Sequence, residues 1–311
     1  MSNHVSVLLN EAIDNLNIKA NGVYVDLTLG RGGHSKEILR RIPCGHLYAF
    51  DKDEEAIKES SENLKEFDNK TIIREDFRYF KNSLNELGIN EVDGILMDLG
   101  VSSPQFDESE RGFSYKEEAR LDMRMDTRQT LDAYQVVNTY PLNELARIFR
   151  EYGEDKFSYQ IARKIVSQRE IAPIEATTQL VDLIKSVKPM KELLKKGHPA
   201  KQIFQALRIE VNDELGALKD ALKDALSMLK VGGRIVVITF HSLEDRIVKN
   251  AFAEVSKIEG SRHNVFARPS LEDEPKYRLV NNKVIIPSDI EMENNPRSKS
   301  AKLRAIERSR L

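Results

Sequence analysis

Between Tyr24 and Arg41 the apolar positions change period. Tyr24-Val25-Asp26-Leu27 alternates as a β-strand does, the run breaks into Gly30-Arg31-Gly32-Gly33, and Lys36-Glu37-Ile38-Leu39-Arg40-Arg41 resumes with helical spacing that turns Ile38 and Leu39 inward. The unit predicted is strand, glycine turn, helix. Glycine suits such a turn because it tolerates positive φ and, lacking Cβ, lets a ligand come close to the backbone. The helix start that follows offers unpaired N–H groups to whatever occupies the turn. A nucleotide-type cofactor site is implied, of a kind the turn does not specify.

The strand pattern recurs. His46–Phe50 reads as a second strand ending at Asp51, Thr71–Arg74 as a third running into Glu75-Asp76-Phe77, and Gly94–Met97 as a fourth ending in Asp98-Leu99-Gly100-Val101-Ser102-Ser103-Pro104-Gln105. Strands alternating with helical stretches predict an α/β fold with a doubly wound sheet, whose ligands gather at the carboxyl ends of the strands. Asp51 lies 18 residues beyond Gly33, close to the spacing at which an acidic side chain accepts hydrogen bonds from ribose hydroxyls. The bland alternative is that Asp51 caps the helix predicted over 54–64. Phe77 is placed to lie on an adenine face or to be plain core. Residues 5–18 carry one apolar helical face, fit to pack on the sheet or to cover the cofactor.

From residue 106 to 206 the alternation disappears and amphipathic helices replace it, with faces at Leu142, Leu145 and Phe149, at Phe157, Ile161 and Ile165, and at Leu180, Leu183 and Ile184. The organisation expected is a discontinuous cofactor-binding domain, 1–105 with 207–311, interrupted by a helical insertion over 106–206. After Gly197-His198-Pro199 one long helix is expected over about 200–229, stopped by Gly232-Gly233 and followed by a strand, Arg234–Phe240, that ends at His241. A hairpin over Tyr277–Ile286 and a last segment, Arg297–Ile306, readable as an edge strand or a basic tail, complete the chain.

Composition narrows the classes. The 311 residues include 40% hydrophobic and 32% charged, an ordinary globular balance, and the net charge is −2. A nucleic-acid partner would therefore need a local basic face, and the insertion supplies candidates in Arg147, Arg163, Lys185, Lys191, Lys195, Lys196 and Lys201. Solvated helix faces look the same. A single cysteine, Cys44, rules out an intrachain disulfide and any Cys-based zinc site, which fits a reducing, cytoplasmic setting. No signal-peptide pattern opens the chain, and its most apolar run, Ile235–Phe240, is far short of the roughly 20 residues a membrane span needs. No metal is expected.

Read together, seven blocks resemble a known family. They are Asp26-Leu-Thr-Leu-Gly-Arg-Gly-Gly-His34, Asp98-Leu-Gly-Val-Ser-Ser-Pro-Gln105, Glu110-Arg-Gly-Phe-Ser114, Leu121-Asp-Met-Arg-Met-Asp126, Tyr152-Gly-Glu-Asp-Lys-Phe-Ser158, His198-Pro-Ala-Lys-Gln-Ile-Phe-Gln-Ala-Leu-Arg-Ile-Glu-Val-Asn212 and Thr239-Phe-His-Ser-Leu-Glu-Asp-Arg246. The family is the bacterial S-adenosylmethionine-dependent methyltransferases that modify N4 of a cytidine in 16S ribosomal RNA of the small subunit. The resemblance implies a Rossmann-like class I methyltransferase fold and cofactor contacts at Gly32, Gly33, His34, Asp51, Phe77, Asp98 and Gln105. It also implies an RNA-recognition role for the insertion. Arg31 stands where the family has a small residue. Asp98 is the candidate catalytic group, Ser102, Ser103 and Pro104 are candidates for lining the target amine, and His241 either contacts the base or braces the loop. Monomer and homodimer stay open. On the residues alone a DNA amino-methyltransferase, a non-catalytic RNA-binding or ribosome-assembly factor, and a nicotinamide dehydrogenase compete. The dehydrogenase fits poorly, because Gly-x-Gly-x-x-Gly/Ala would put glycine or alanine at Ser35.

Overall fold

A computed structural model describes residues 6–100, 109–257 and 275–310. The chain opens with α1 (Leu9–Leu16) and then alternates β1 (Val23–Asp26), α2 (Gly33–Arg41), β2 (His46–Asp51), α3 (Glu54–Asn63), β3 (Lys70–Arg74), α4 (Phe80–Glu86) and β4 (Val92–Asp98). It continues with α5 (Ala133–Thr139), α6 (Leu142–Glu151), α7 (Ser158–Arg169), α8 (Thr177–Val187), α9 (Met190–Leu193) and α10 (Lys201–Asn212). Then come α11 (Glu214–Met228), β5 (Leu229–Thr239), α12 (Ser242–Val255), β6 (Tyr277–Leu279), α13 (Asp289–Asn294) and β7 (Lys302–Arg308). Two compact units result, 1–100 with 215–311, and 101–214.

The first unit holds one seven-stranded sheet of order β3-β2-β1-β4-β5-β7-β6. The first five strands run parallel, and β7 lies antiparallel between β5 and β6. Its central strands are buried on both faces, which is why Ile235-Val236-Val237-Ile238 is apolar throughout rather than alternating. Strand order reverses between β1 and β4, the switch point at which open sheets of this kind take ligands. α1 packs on β4, β5, β7 and α2 through Ala12, Ile13 and Leu16, so its apolar face is spent on the core. Just ahead of it, Ser6 lies against Gly33 and the Val7 carbonyl meets His34.

The second unit is helical, with a core drawn from Leu145, Phe149, Ile161, Ile165, Leu180 and Ile184. Ile203, Phe204, Leu207 and Val211 of α10 join that core, which carries the unit on to 214 rather than ending it at the expected 206.

Three expectations are corrected. The single helix over 200–229 is broken at Asp213, which takes a left-handed conformation (φ 44°). The adjacent Asn212 side chain is held by backbone, its amide donating to the Met123 carbonyl (2.8 Å) and its oxygen accepting from Met125 N–H (2.8 Å). Gly232-Gly233 does not stop a helix but lies inside β5, where Gly232 (φ 80°) sits at a register shift against Val92–Gly94. Residues 277–286 do not pair with one another: β6 and Ile285 both pair with β7, and β7 is thereby an interior strand, neither edge nor tail.

Candidate active site

The glycine turn is pinned from below by Asp26, the last residue of β1. Its carboxylate accepts from Thr28 N–H (3.1 Å) and from the Ser35 hydroxyl (2.6 Å), tying strand to helix across the turn. Gly30 (φ 50°) and Gly32 (φ 79°) take the left-handed conformation that side chains disfavour. Gly33 is required for a different reason. A Cβ built there would stand 2.0 Å from the Ser6 hydroxyl oxygen, so the N-terminal segment itself lies against the bare backbone. Arg31 points away from the turn, its Nε donating to Glu59 of α3 (2.9 Å).

Asp51 ends β2 and closes on the same turn: one oxygen accepts from Gly30 N–H (2.9 Å), the other from Asp53 N–H (2.9 Å). It does not cap α3. Asp53 does, accepting from Glu55 N–H (3.1 Å). Each Asp51 oxygen keeps a lone pair for a further donor. Burial is the main cause that pushes its carboxyl up to about 6, against the two backbone N–H groups that pull the other way.

Asp98 ends β4 beside the turn, its N–H donating to the Thr28 hydroxyl (2.6 Å). Its Oδ2 lies 3.6 Å from Nδ1 of His34, the buried second residue of α2, while Oδ1 is buried without a partner among the described residues. Burial first, then the nearby Asp26 and Glu244 carboxylates, hold the Asp98 carboxyl well above the usual range. Burial also lowers the His34 imidazole to about 4, so the ring is neutral. Phe77 opens a short 3-10 turn after β3 and is half-buried against the sheet core.

His241 caps α12 in a reciprocal box. Its ring accepts from Glu244 N–H, and the Glu244 carboxylate accepts from Phe240 N–H (2.8 Å) and His241 N–H (3.2 Å). Bracing is therefore what this geometry gives it. Ser102, Ser103, Pro104 and Gln105 lie outside the described residues. Sequence reasoning gave no separate role to Asp26, Thr28 or Glu244, whose side chains organise the site from beneath. The reach from Asp26 to Ser35 was the readable sign, a buried acceptor and a hydroxyl flanking the glycines.

The donor set favours one type of ligand. Asp51 and Asp98 offer acceptors, and the charged neighbours of Asp98 are acidic. Such a site suits ribose hydroxyls and a cationic end group and opposes a pyrophosphate. A nucleoside with a positively charged tail suits these acceptors. Sheet order, antiparallel β7 and the acidic switch-point site together define a class I methyltransferase. Comparison with known proteins agrees: the MraW methylase family matches residues 1–309, and this chain belongs to that family. It is 55% identical to the ribosomal RNA small subunit methyltransferase H of Streptococcus pyogenes serotype M4 (strain MGAS10750) over 99% of this chain and 98% of the relative. Solved structures that align include an rRNA methylase from Streptococcus thermophilus (10% identical, TM-score 0.45, 98% of each chain) and a putative rRNA-methylase from Clostridium thermocellum (12% identical, TM-score 0.46, 98% of each chain).

Proposed function

We infer that the chain transfers a methyl group from S-adenosylmethionine to N4 of a cytidine in 16S ribosomal RNA, working in the cytoplasm on RNA of the small subunit. The observation that carries this reading is the buried Asp98 oxygen, unpartnered among the described residues, beside a glycine turn, in a chain matched over nearly its whole length by a methylase family.

When bound, the cofactor supplies an electrophilic methyl group. The protein's part is mainly placement, because the exocyclic amine of cytosine is a weak nucleophile whose lone pair is drawn into the ring, and proximity in line supplies much of the rate. Asp51 accepts from the ribose hydroxyls, Phe77 lies against the adenine, and Gly32 and Gly33 offer the cofactor their backbone. His34 backs Asp98. Asp98 serves the cationic end of the cofactor and accepts from the target amine, stabilising positive charge as it develops there. Ser102, Ser103, Pro104 and Gln105 complete the lining, and His241 holds the end of β5. The helical unit carries the RNA through its exposed lysines. The target base leaves its stack to react, at a cost of a few kcal/mol that is least in loosely held RNA.

The test is methyl transfer to ribosomal RNA from cells lacking this protein, followed by nucleoside analysis. N4-methylcytidine in the small-subunit RNA is the expected product. RNA binding without transfer would make it an assembly factor, and methylated DNA cytosine would move it to the DNA enzymes.

A further inference from the structure

The placement of His34 and Asp98 sets a proton-counting problem. Nε2 of His34 lies 3.2 Å from the Val7 carbonyl oxygen, which can only accept, so the ring's proton sits on Nε2. Nδ1 is then a bare lone pair, and it faces Asp98 Oδ2 across 3.6 Å. A lone pair set against a carboxylate repels it. Among the described residues the rest of the surroundings give no relief, because Oδ1 is buried without a partner and the charged groups near the carboxyl, Asp26 below the turn and Glu244 on α12, are both acidic. Glu244 is held in place by the backbone of Phe240 and His241.

We propose that Asp98 carries a proton in the ligand-free protein, beside the bare Nδ1 of His34, and that the positive charge of the bound cofactor drives that proton into solvent. This deepens the cofactor reading above and rests on it. The proton resides on Asp98, whose Oδ1 has no partner among the described residues and whose charged neighbours are acidic, while burial keeps the imidazole neutral. His34 is a positioning residue: the Val7 carbonyl fixes its tautomer, and the tautomer fixes where Asp98 can place its hydrogen. Protonated protein and cofactor cation therefore give complex plus a free proton. While Asp98 is protonated, affinity rises about tenfold for each unit of pH.

Calorimetry of the full chain with S-adenosylmethionine at pH 7.5, in buffers of different protonation enthalpy, reads the exchange directly. This pH keeps Asp51, which titrates near 6, ionised throughout. Proton release on cofactor binding by the wild type, and none by Asp98→Asn, is expected. Because the variant binds weakly, the wild type with carbon-13-labelled aspartate gives a second reading. One aspartate carboxyl, assigned by its absence from Asp98→Asn, is protonated before the cofactor is added and ionised after. Nitrogen-15 spectra of His34 show a neutral ring protonated at Nε2. Binding without proton release, or an Asp98 carboxylate already ionised in the free protein, overturns the proposal. Failure of the cofactor to bind at all is a separate result, which overturns the cofactor reading and this proposal together.

Discussion

Two aspartates, one in each unit, are treated in opposite ways. In the helical unit Asp155 is 1% exposed and fully engaged: Lys188, itself 6% exposed, donates to it, as does Phe157 N–H (2.8 Å). Lys188 also donates to the Pro199 carbonyl (2.7 Å), so the pair fastens the turn before α10. In the sheet unit Asp98 has a neutral imidazole 3.6 Å away, two acidic neighbours and an oxygen with no partner among the described residues. The first arrangement satisfies charge within the fold. The second leaves an acceptor unsatisfied among the described residues, and a buried acceptor left so at a strand end is how a binding site differs from a structural ion pair.

The largest effect separating the two comes from breaking the satisfied pair. Lys188→Ala strands a buried carboxylate and costs on the order of 3–5 kcal/mol, read as a lower denaturant midpoint, while cofactor affinity at the sheet edge is retained wherever the chain stays folded. Next is the pH response of Asp51. Its folded carboxyl titrates above its unfolded value, so its contribution to stability is present at pH 4 and lost as pH rises through 6. That loss amounts to on the order of 3 kcal/mol. Asp51→Asn flattens the change, and chemical denaturation across pH 4–7 detects it.

Smaller still is Gly33→Ala, whose methyl meets Ser6 and costs about 1–3 kcal/mol. Pairing it with Ser6→Gly, which vacates the space the methyl needs, restores the melting temperature. The smallest change in stability, within about 0.5 kcal/mol, belongs to replacing the exposed Lys185, Lys191, Lys196 and Lys201 together by alanine. Their loss nevertheless lowers the salt slope of RNA binding by about 3.

The strand–turn–helix around Gly30–Gly33 was legible because its determinants are local: alternation, glycine, then helical spacing. Asp51 was legible by distance along the chain. The break at Asp213 was not, since it depends on Asn212 meeting the backbone of Met123 and Met125, a contact far apart in sequence. The place of β7 between β5 and β6 is likewise a long-range choice of partner, which a period-two pattern does not encode. At the site, the residues at strand ends could be named in advance, yet the pairing of His34 with Asp98 could not. Neither could the role of the Val7 carbonyl and Ser6, contributed by a segment whose helical face suggested only packing or a lid.

The account turns on Asp98 being kept for the cofactor at a cost to the fold. Melting temperature without ligand and equilibrium affinity for S-adenosylmethionine, measured together for the wild type and Asp98→Asn at pH 7.5, test it most directly. The account predicts a variant that melts higher yet binds the cofactor at least about tenfold more weakly. A variant that melts lower, or binds as tightly as the wild type, contradicts it.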